Sequence, residues 1–174
     1  YLIPTDASAR VIPMMTSDTN IVAHKFEEIA GAVDYVIWDT APTPSLLHGS
    51  IYMATDYIVY PTECAFLSFD GLVASIGRSR QVSANRKELG LSDIKIGGII
   101  PNKVRRHGDG YVASHQHALD MLTERFGSKV WQPITMSSIW EKTQFAQRVL
   151  YLYAPTSEST TQAWSVVSNI EAIS

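Results

Sequence analysis

The 174 residues are 45% hydrophobic, enough to bury one full core, and carry a formal net charge of −3. That balance argues against a protein that coats nucleic acid over its whole surface, and the lone cysteine, Cys64, excludes an intrachain disulfide and a cysteine-based metal centre. The single cysteine leads us to expect a reducing, cytoplasmic setting; no apolar run approaches the ~20 residues that span a bilayer, and no charged-then-apolar leader opens the chain.

In chain order, Tyr1-Leu2-Ile3 reads as a short strand stopped by Pro4, with the polar loop Thr5 to Ser8 behind it. A sequence that opens on Tyr with a strand already under way is expected to have been entered partway through. From Asn20, a candidate N-cap, Ile21, Val22, Phe26, Ile29 and Ala30 recur at helical spacing, Glu27 and Glu28 mark the wet side, and Gly31 suits the helix end. Tyr35, Val36, Ile37 and Trp38 then form a bulky run without polar alternation, which predicts a strand buried on both faces of a parallel sheet.

That run ends on Asp39, and Thr40 and Pro42 begin a loop. An acid at the C-terminal end of a central parallel strand stands where α/β sheets bind ligands, and in nucleotide-hydrolysing folds it organises Mg²⁺ beside the phosphates. An Asp that only caps the next helix accounts for the same residues equally well.

Ser45 to Thr55 predicts a short helix, and Asp56 to Pro61 an apolar strand ended by proline, which with the preceding strand makes a parallel crossover unit. Thr62 to Phe66 leads to a helix from about Ser68 to Leu89. It carries Leu72, Val73, Ile76 and Val82 inward and Arg78, Arg80, Arg86 and Lys87 mainly outward, and Gly90 closes it. Ile94 to Ile100 is a third strand, whose Gly97 and Gly98 point to a close approach to the backbone. The basic loop Arg105 to Gly110 precedes a helix from Tyr111 to Phe126, ended by Gly127, and Val130-Trp131 is a short strand. Ser138 to Gln147 predicts a helix, Val149 to Tyr153 an extended apolar segment, and Ser157 or Thr160 the start of a last helix with Ala163, Trp164, Val167 and Ile170 along one face. Strands alternating with helices, without repeats or linkers, predict a single α/β domain over residues 1–174 with a mostly parallel twisted sheet flanked by helices.

Asn102 follows the third strand and Pro101, and so is expected at the same sheet edge as Asp39. Its amide offers both a donor and an acceptor, which matches the hydrogen-bonding edge of a purine, while a turn residue after proline is the plainer account. Eight of the 14 Lys and Arg fall between Arg78 and Arg106, against only Glu88 and Asp93 in that span. The excess suits phosphate contacts to DNA or, equally, a solvated helix face. His107, His115 and His117 lack further ligands for a metal, and Ser45 with His48 lacks a nucleophile elbow.

The order of these motifs resembles the ParA/MinD family of deviant Walker ATPases, and its partition branch in particular. The resemblance is carried by the apolar strand with Asp39-Thr40-Ala41-Pro42, by Tyr60 to Leu72 with its Pro61-Thr62-Glu63-Cys64 and Asp70-Gly71-Leu72, and by Gly98-Ile99-Ile100-Pro101-Asn102-Lys103. It implies a P-loop NTPase fold in which Asp39 is the Walker B acid, ordering Mg²⁺ through a water. Thr40 and Pro42 would lie in the switch loop, Asn102 would read adenine, and Ile134 and Thr135 would line the adenine pocket. Cys64 is implied to be structural, and Val149 to Pro155 resembles a late strand-like element.

The resemblance further implies ATP as ligand, a homodimer formed with ATP, hydrolysis stimulated by a centromere-binding ParB-like partner, and a nucleoid-associated protein without a membrane anchor. Nonspecific DNA would be held by Arg78, Arg80, Arg86, Lys87, Lys103, Arg105 and Arg106. Two departures stand against it. The glycine-rich phosphate loop with its lysines is absent from these residues, so the chain as written is expected not to hydrolyse ATP and, lacking a central strand, to be poorly stable alone. Thr135-Met136-Ser137 and Glu141-Lys142-Thr143 also replace the runs usual in the family. A MinD-like membrane-positioning ATPase is disfavoured because no Lys or Arg follows Arg148. A non-enzymatic, truncated binding module is the remaining alternative.

Overall fold

The computed structural model describes residues 20–28, 31–40 and 45–173; the expected Tyr1–Ile3 strand, the Thr5–Ser8 loop, Ile29, Ala30 and Pro42 lie outside the described residues. In chain order the elements are α1 (Ile21–Glu27), α2 (Leu46–Met53), β1 (Tyr57–Glu63), α3 (Phe66–Glu88), β2 (Lys95–Asn102), β3 (Arg106–His107), β4 (Gly110–Tyr111), α4 (Ala113–Phe126), α5 (Ser138–Phe145), α6 (Leu150–Tyr153) and α7 (Glu158–Ile173). They group into two compact units, Tyr1–Asp56 with Arg78–Ile94, and Tyr57–Gly77 with Lys95–Ser174.

In the first unit, α1 buries Val22, and its Phe26 packs edge-on against Trp38 with ring centroids 4.7 Å apart. Helix α2 starts where the sequence predicts, because Ser45 Oγ accepts the His48 N–H at 3.2 Å and satisfies one of the orphan donors of the first turn. The expected central strand at Tyr35 to Asp39 does not form. These residues have no ladder partner among the described residues, and Tyr35, Val36 and Ile37 are 49%, 43% and 76% exposed. An apolar run becomes a doubly buried strand only when neighbouring strands satisfy its N–H and C=O groups, and among the described residues no such neighbour is paired with it.

In the second unit, β1 and β2 pair in parallel from Tyr57↔Lys95 to Glu63↔Asn102, with a register shift between Ile58 and Val59 that skips Gly97. Pro61 lies inside β1, opposite Ile100, instead of ending it. On the other side of β2, Val130 bridges Ile99 and Thr135 bridges Val104, both in parallel, so β2 is the middle line of this unit. The close approach expected at the glycines is present: a Cβ on Gly98 would fall 2.1 Å from Trp131 Cε2, which leaves room for no other residue. Tyr60, Leu72, Ile76, Ile99 and Leu122 make the core, backed by Ile58, Phe69, Ile96, Phe126 and Val130.

The loop after β2 is not irregular. Arg106–His107 and Gly110–Tyr111 form a minimal antiparallel hairpin, and the positive φ of Gly108 (57°) makes its turn. Val149 to Tyr153 departs from the extended form expected of it. Its N–H groups close locally, Tyr153 to Val149 at 3.1 Å and Ala154 to Leu150 at 2.9 Å, and give the single helical turn α6.

Candidate functional site

The C-terminal end of β2 gathers the polar residues of the second unit. Asn102 stands opposite Glu63 in register. Next to it Lys103 takes a positive φ of 52°, a conformation that costs a non-glycine residue ~1–3 kcal/mol and that clusters at functional sites. Two contacts hold it there: the Lys103 N–H donates to Asn102 Oδ1 at 2.9 Å, and Lys103 Nζ pairs with Glu63 Oε1 at 2.6 Å. The Asn102 carbonyl oxygen is thus engaged by its own neighbour, and its amide NH₂ is the group left for a ligand acceptor.

The Ile134–Thr135 segment lies directly beside Asn102. Ile134 N–H donates to Pro101 O at 2.8 Å, Val104 N–H donates to Ile134 O at 3.0 Å, and Met136 N–H donates to Val104 O at 2.9 Å. Asn102 and the Ile134–Thr135 segment, far apart in sequence, are therefore neighbours in the fold. Thr135, however, is 5% exposed, and its N–H donates to Gln162 Oε1 at 3.0 Å, with its hydroxyl 3.2 Å from the same oxygen. Its polar groups are committed to α7, so it holds the segment in place and does not itself offer hydrogen bonds to a ligand.

Asp39 and Thr40 belong to the first unit, where both are exposed and in neither helix nor strand. Among the described residues no three His, Cys, Asp or Glu side chains come together as a metal site, and Asp39 contributes a single exposed carboxylate. Cys64 is half-buried, and burial pushes its thiol up from the usual range, which suits packing and not nucleophilic chemistry.

The basic residues divide. Arg78, Arg80 and Lys87 are exposed on α3, and Arg80 and Lys87, seven residues apart, share a face. Arg86, expected on that outer surface, is 4% exposed. Its guanidinium donates to the carbonyls of Tyr52, Thr55 and, at 2.9 Å, Ser92, so it is committed to the chain at and beyond the end of α2 and is not placed to meet a DNA phosphate. In the second unit, Lys103, Arg105 and Arg106 are exposed; Arg105 N–H donates to His115 Nδ1 at 3.0 Å, and Arg106 pairs with Glu158. Ion pairs at such exposed positions are worth about 0–1 kcal/mol, so neither Glu63 nor Glu158 bars these cations from a phosphate. Glu63, Glu158 and Gln162 were not singled out by sequence. The i,i+4 spacing of Glu158 and Gln162 on the predicted last helix was the available signal.

Residues 5–90 match a family model described as an AAA domain. No curated protein matches the chain. Among solved structures, apo McdA from Cyanothece is similar over 97% of this chain and 64% of its own, with a TM-score of 0.73 and 16% identity. The cell division ATPase MinD of Pyrococcus furiosus is similar over 98% and 64%, with a TM-score of 0.65 and 13% identity. A plasmid partition protein from Borrelia burgdorferi follows at 89% and 62%, with a TM-score of 0.62 and 13% identity. The chain thus spans less than two thirds of the length of these structures. McdA is also known as an ATP complex, and MinD from Pyrococcus horikoshii as a complex with Mg-ADP.

Proposed function

The chain carries the fold of the ParA/MinD family of deviant Walker ATPases, and from that premise we propose that it is part of a partition-type ATPase that binds ATP as a dimer and holds nonspecific DNA. The observation that carries this reading is the meeting of Asn102 with the Ile134–Thr135 segment at the C-terminal end of β2, the edge at which open α/β sheets bind nucleotides. Asn102 presents its amide NH₂ to the adenine edge, Ile134 flanks the ring, and Thr135 fixes the backbone between them. ATP, when bound, supplies the phosphoryl group that passes to water. The glycine-lysine phosphate loop is not among these residues, and Asp39 is the one group here assigned to the phosphate side.

The DNA contacts fall to Arg78, Arg80, Lys87, Lys103, Arg105 and Arg106, without Arg86. Such contacts position a protein on phosphates without reading sequence, and a ParB-like partner bound at a centromere would stimulate hydrolysis and release. The test is a titration of the full-length protein with ATP and GTP, followed by random-sequence duplex at two salt concentrations. Preference for ATP, with ATP-dependent DNA binding that weakens steeply with salt, is expected. Equal affinity for both nucleotides, or DNA binding indifferent to salt, contradicts the reading.

A further inference from the structure

The basic hairpin and the Ile134–Thr135 segment are joined by side chains on one helix face. Glu158 and Gln162 lie four residues apart on α7 and project from the same side. Glu158 Oε1 accepts from Arg106 Nη2 and, at 3.0 Å, from Gln162 Nε2. The other end of that amide holds Thr135, with Oε1 3.0 Å from the Thr135 nitrogen, while Nε2 is also 3.1 Å from the Thr135 hydroxyl. Because the residues on either side of Thr135 carry the ladder to Val104, this contact sets where the backbone beside Asn102 stands.

We propose that Gln162 is a positioning residue for the Ile134–Thr135 edge of the nucleotide site, and that Glu158 ties its setting to whether Arg106 is engaged with a DNA phosphate. The proposal rests on the nucleotide and DNA reading above. Its chemistry is a competition for one carboxylate oxygen. While Arg106 is on Glu158, that oxygen divides its charge between guanidinium and amide. A phosphate that draws Arg106 away leaves the oxygen to Gln162 Nε2, and the amide turns toward Glu158 and off the Thr135 hydroxyl. By linkage the effect is reciprocal, so a nucleotide that shifts Thr135 alters the availability of Arg106 by the same factor. The Arg106–Glu158 pair is exposed, so the factor is modest, about two- to fivefold.

The test measures the affinity of a fluorescent ATP analogue for the full-length protein, with and without saturating random-sequence duplex, in the parent, in Glu158→Gln and in Gln162→Met. The parent is expected to show a ratio between the two conditions that includes a factor of about two to five from this link, on top of the dimer's own ATP-dependent DNA binding. Glu158→Gln is expected to change that ratio by about two- to fivefold, leaving the part that does not pass through Glu158, while tightening DNA binding, since it releases Arg106. Gln162→Met is expected to lower nucleotide affinity and to change the ratio by the same factor as Glu158→Gln. Any of three results overturns the link: a ratio of one in the parent, a ratio unchanged by Glu158→Gln, or nucleotide affinity unchanged by Gln162→Met. A parent that binds neither ATP nor DNA defeats the functional reading itself, and the link with it.

Discussion

Two segments read alike in the sequence and fold differently. Tyr35 to Trp38 and Ile96 to Ile100 are both short apolar runs that end near a polar residue of interest, Asp39 and Asn102. The second is part of β2, has a partner on each side, and buries Ile99 completely. The first pairs with no strand among the described residues and leaves Ile37 76% exposed. The contrast teaches that composition nominates a buried strand but ladder partners make one. It also separates the two site candidates: Asn102 sits in a built environment, whereas Asp39 has one only if a neighbouring strand completes it.

The sharpest way to break that comparison is to truncate both runs. Ile99→Ala is expected to destabilise the protein by about 3–4 kcal/mol in chemical denaturation, because the side chain is fully enclosed. Ile37→Ala is expected to stay within about 0.5 kcal/mol of the parent. A large loss at Ile37 would mean that the segment is buried in the protein as tested, and that Asp39 has its strand. Gly98→Ala comes next, at about 2–3 kcal/mol, since its Cβ must displace the Trp131 ring from the middle of the same strand. Arg86→Ala should cost about 2 kcal/mol by removing a buried guanidinium and its bonds to three part-buried carbonyls of the first unit, whereas Arg80→Ala should leave stability unchanged. A salt slope of DNA binding altered by Arg86→Ala in a fully folded sample would return that residue to the DNA surface. The smallest effect is at Cys64, whose raised thiol pKa keeps the thiolate scarce at neutral pH. Alkylation slower than that of a free cysteine is expected; equal or faster reaction would expose it as an accessible thiol.

Much of the second unit was legible. The Tyr57–Tyr60 and Ile94–Ile100 runs, the paired glycines and the apolar faces of α3 and α4 each follow from a local pattern. The errors have identifiable causes. The β3–β4 hairpin has two residues per strand, too few for alternation to show. The run at Val149 to Tyr153 is apolar without a ladder, so local hydrogen bonds decided its form. Arg86 was read as outward from its charge, although Leu72, Ile76, Ser79, Ser83 and Arg86 recur at steps of four and three along α3. Leu72, Ile76, Ser79 and Arg86 are buried, and Ser83 Oγ accepts the Ile94 N–H at 2.7 Å. The spacing held the answer and the residue type hid it. At the proposed site, Asn102 and the Ile134–Thr135 segment were named through family resemblance, and the structure sets them side by side. Gln162 was not, because a glutamine within a helix gives no sign of which partner will hold it.

The central claim is that the end of β2 is an adenine-reading edge. Its most direct test is calorimetric titration of the full-length protein and of Asn102→Ala with ATP and with GTP. Loss of about 1–2 kcal/mol of ATP affinity in the variant is what the free amide donor of Asn102 predicts under the proposed reading. An Asn102→Ala protein that binds ATP as tightly as the parent would contradict it.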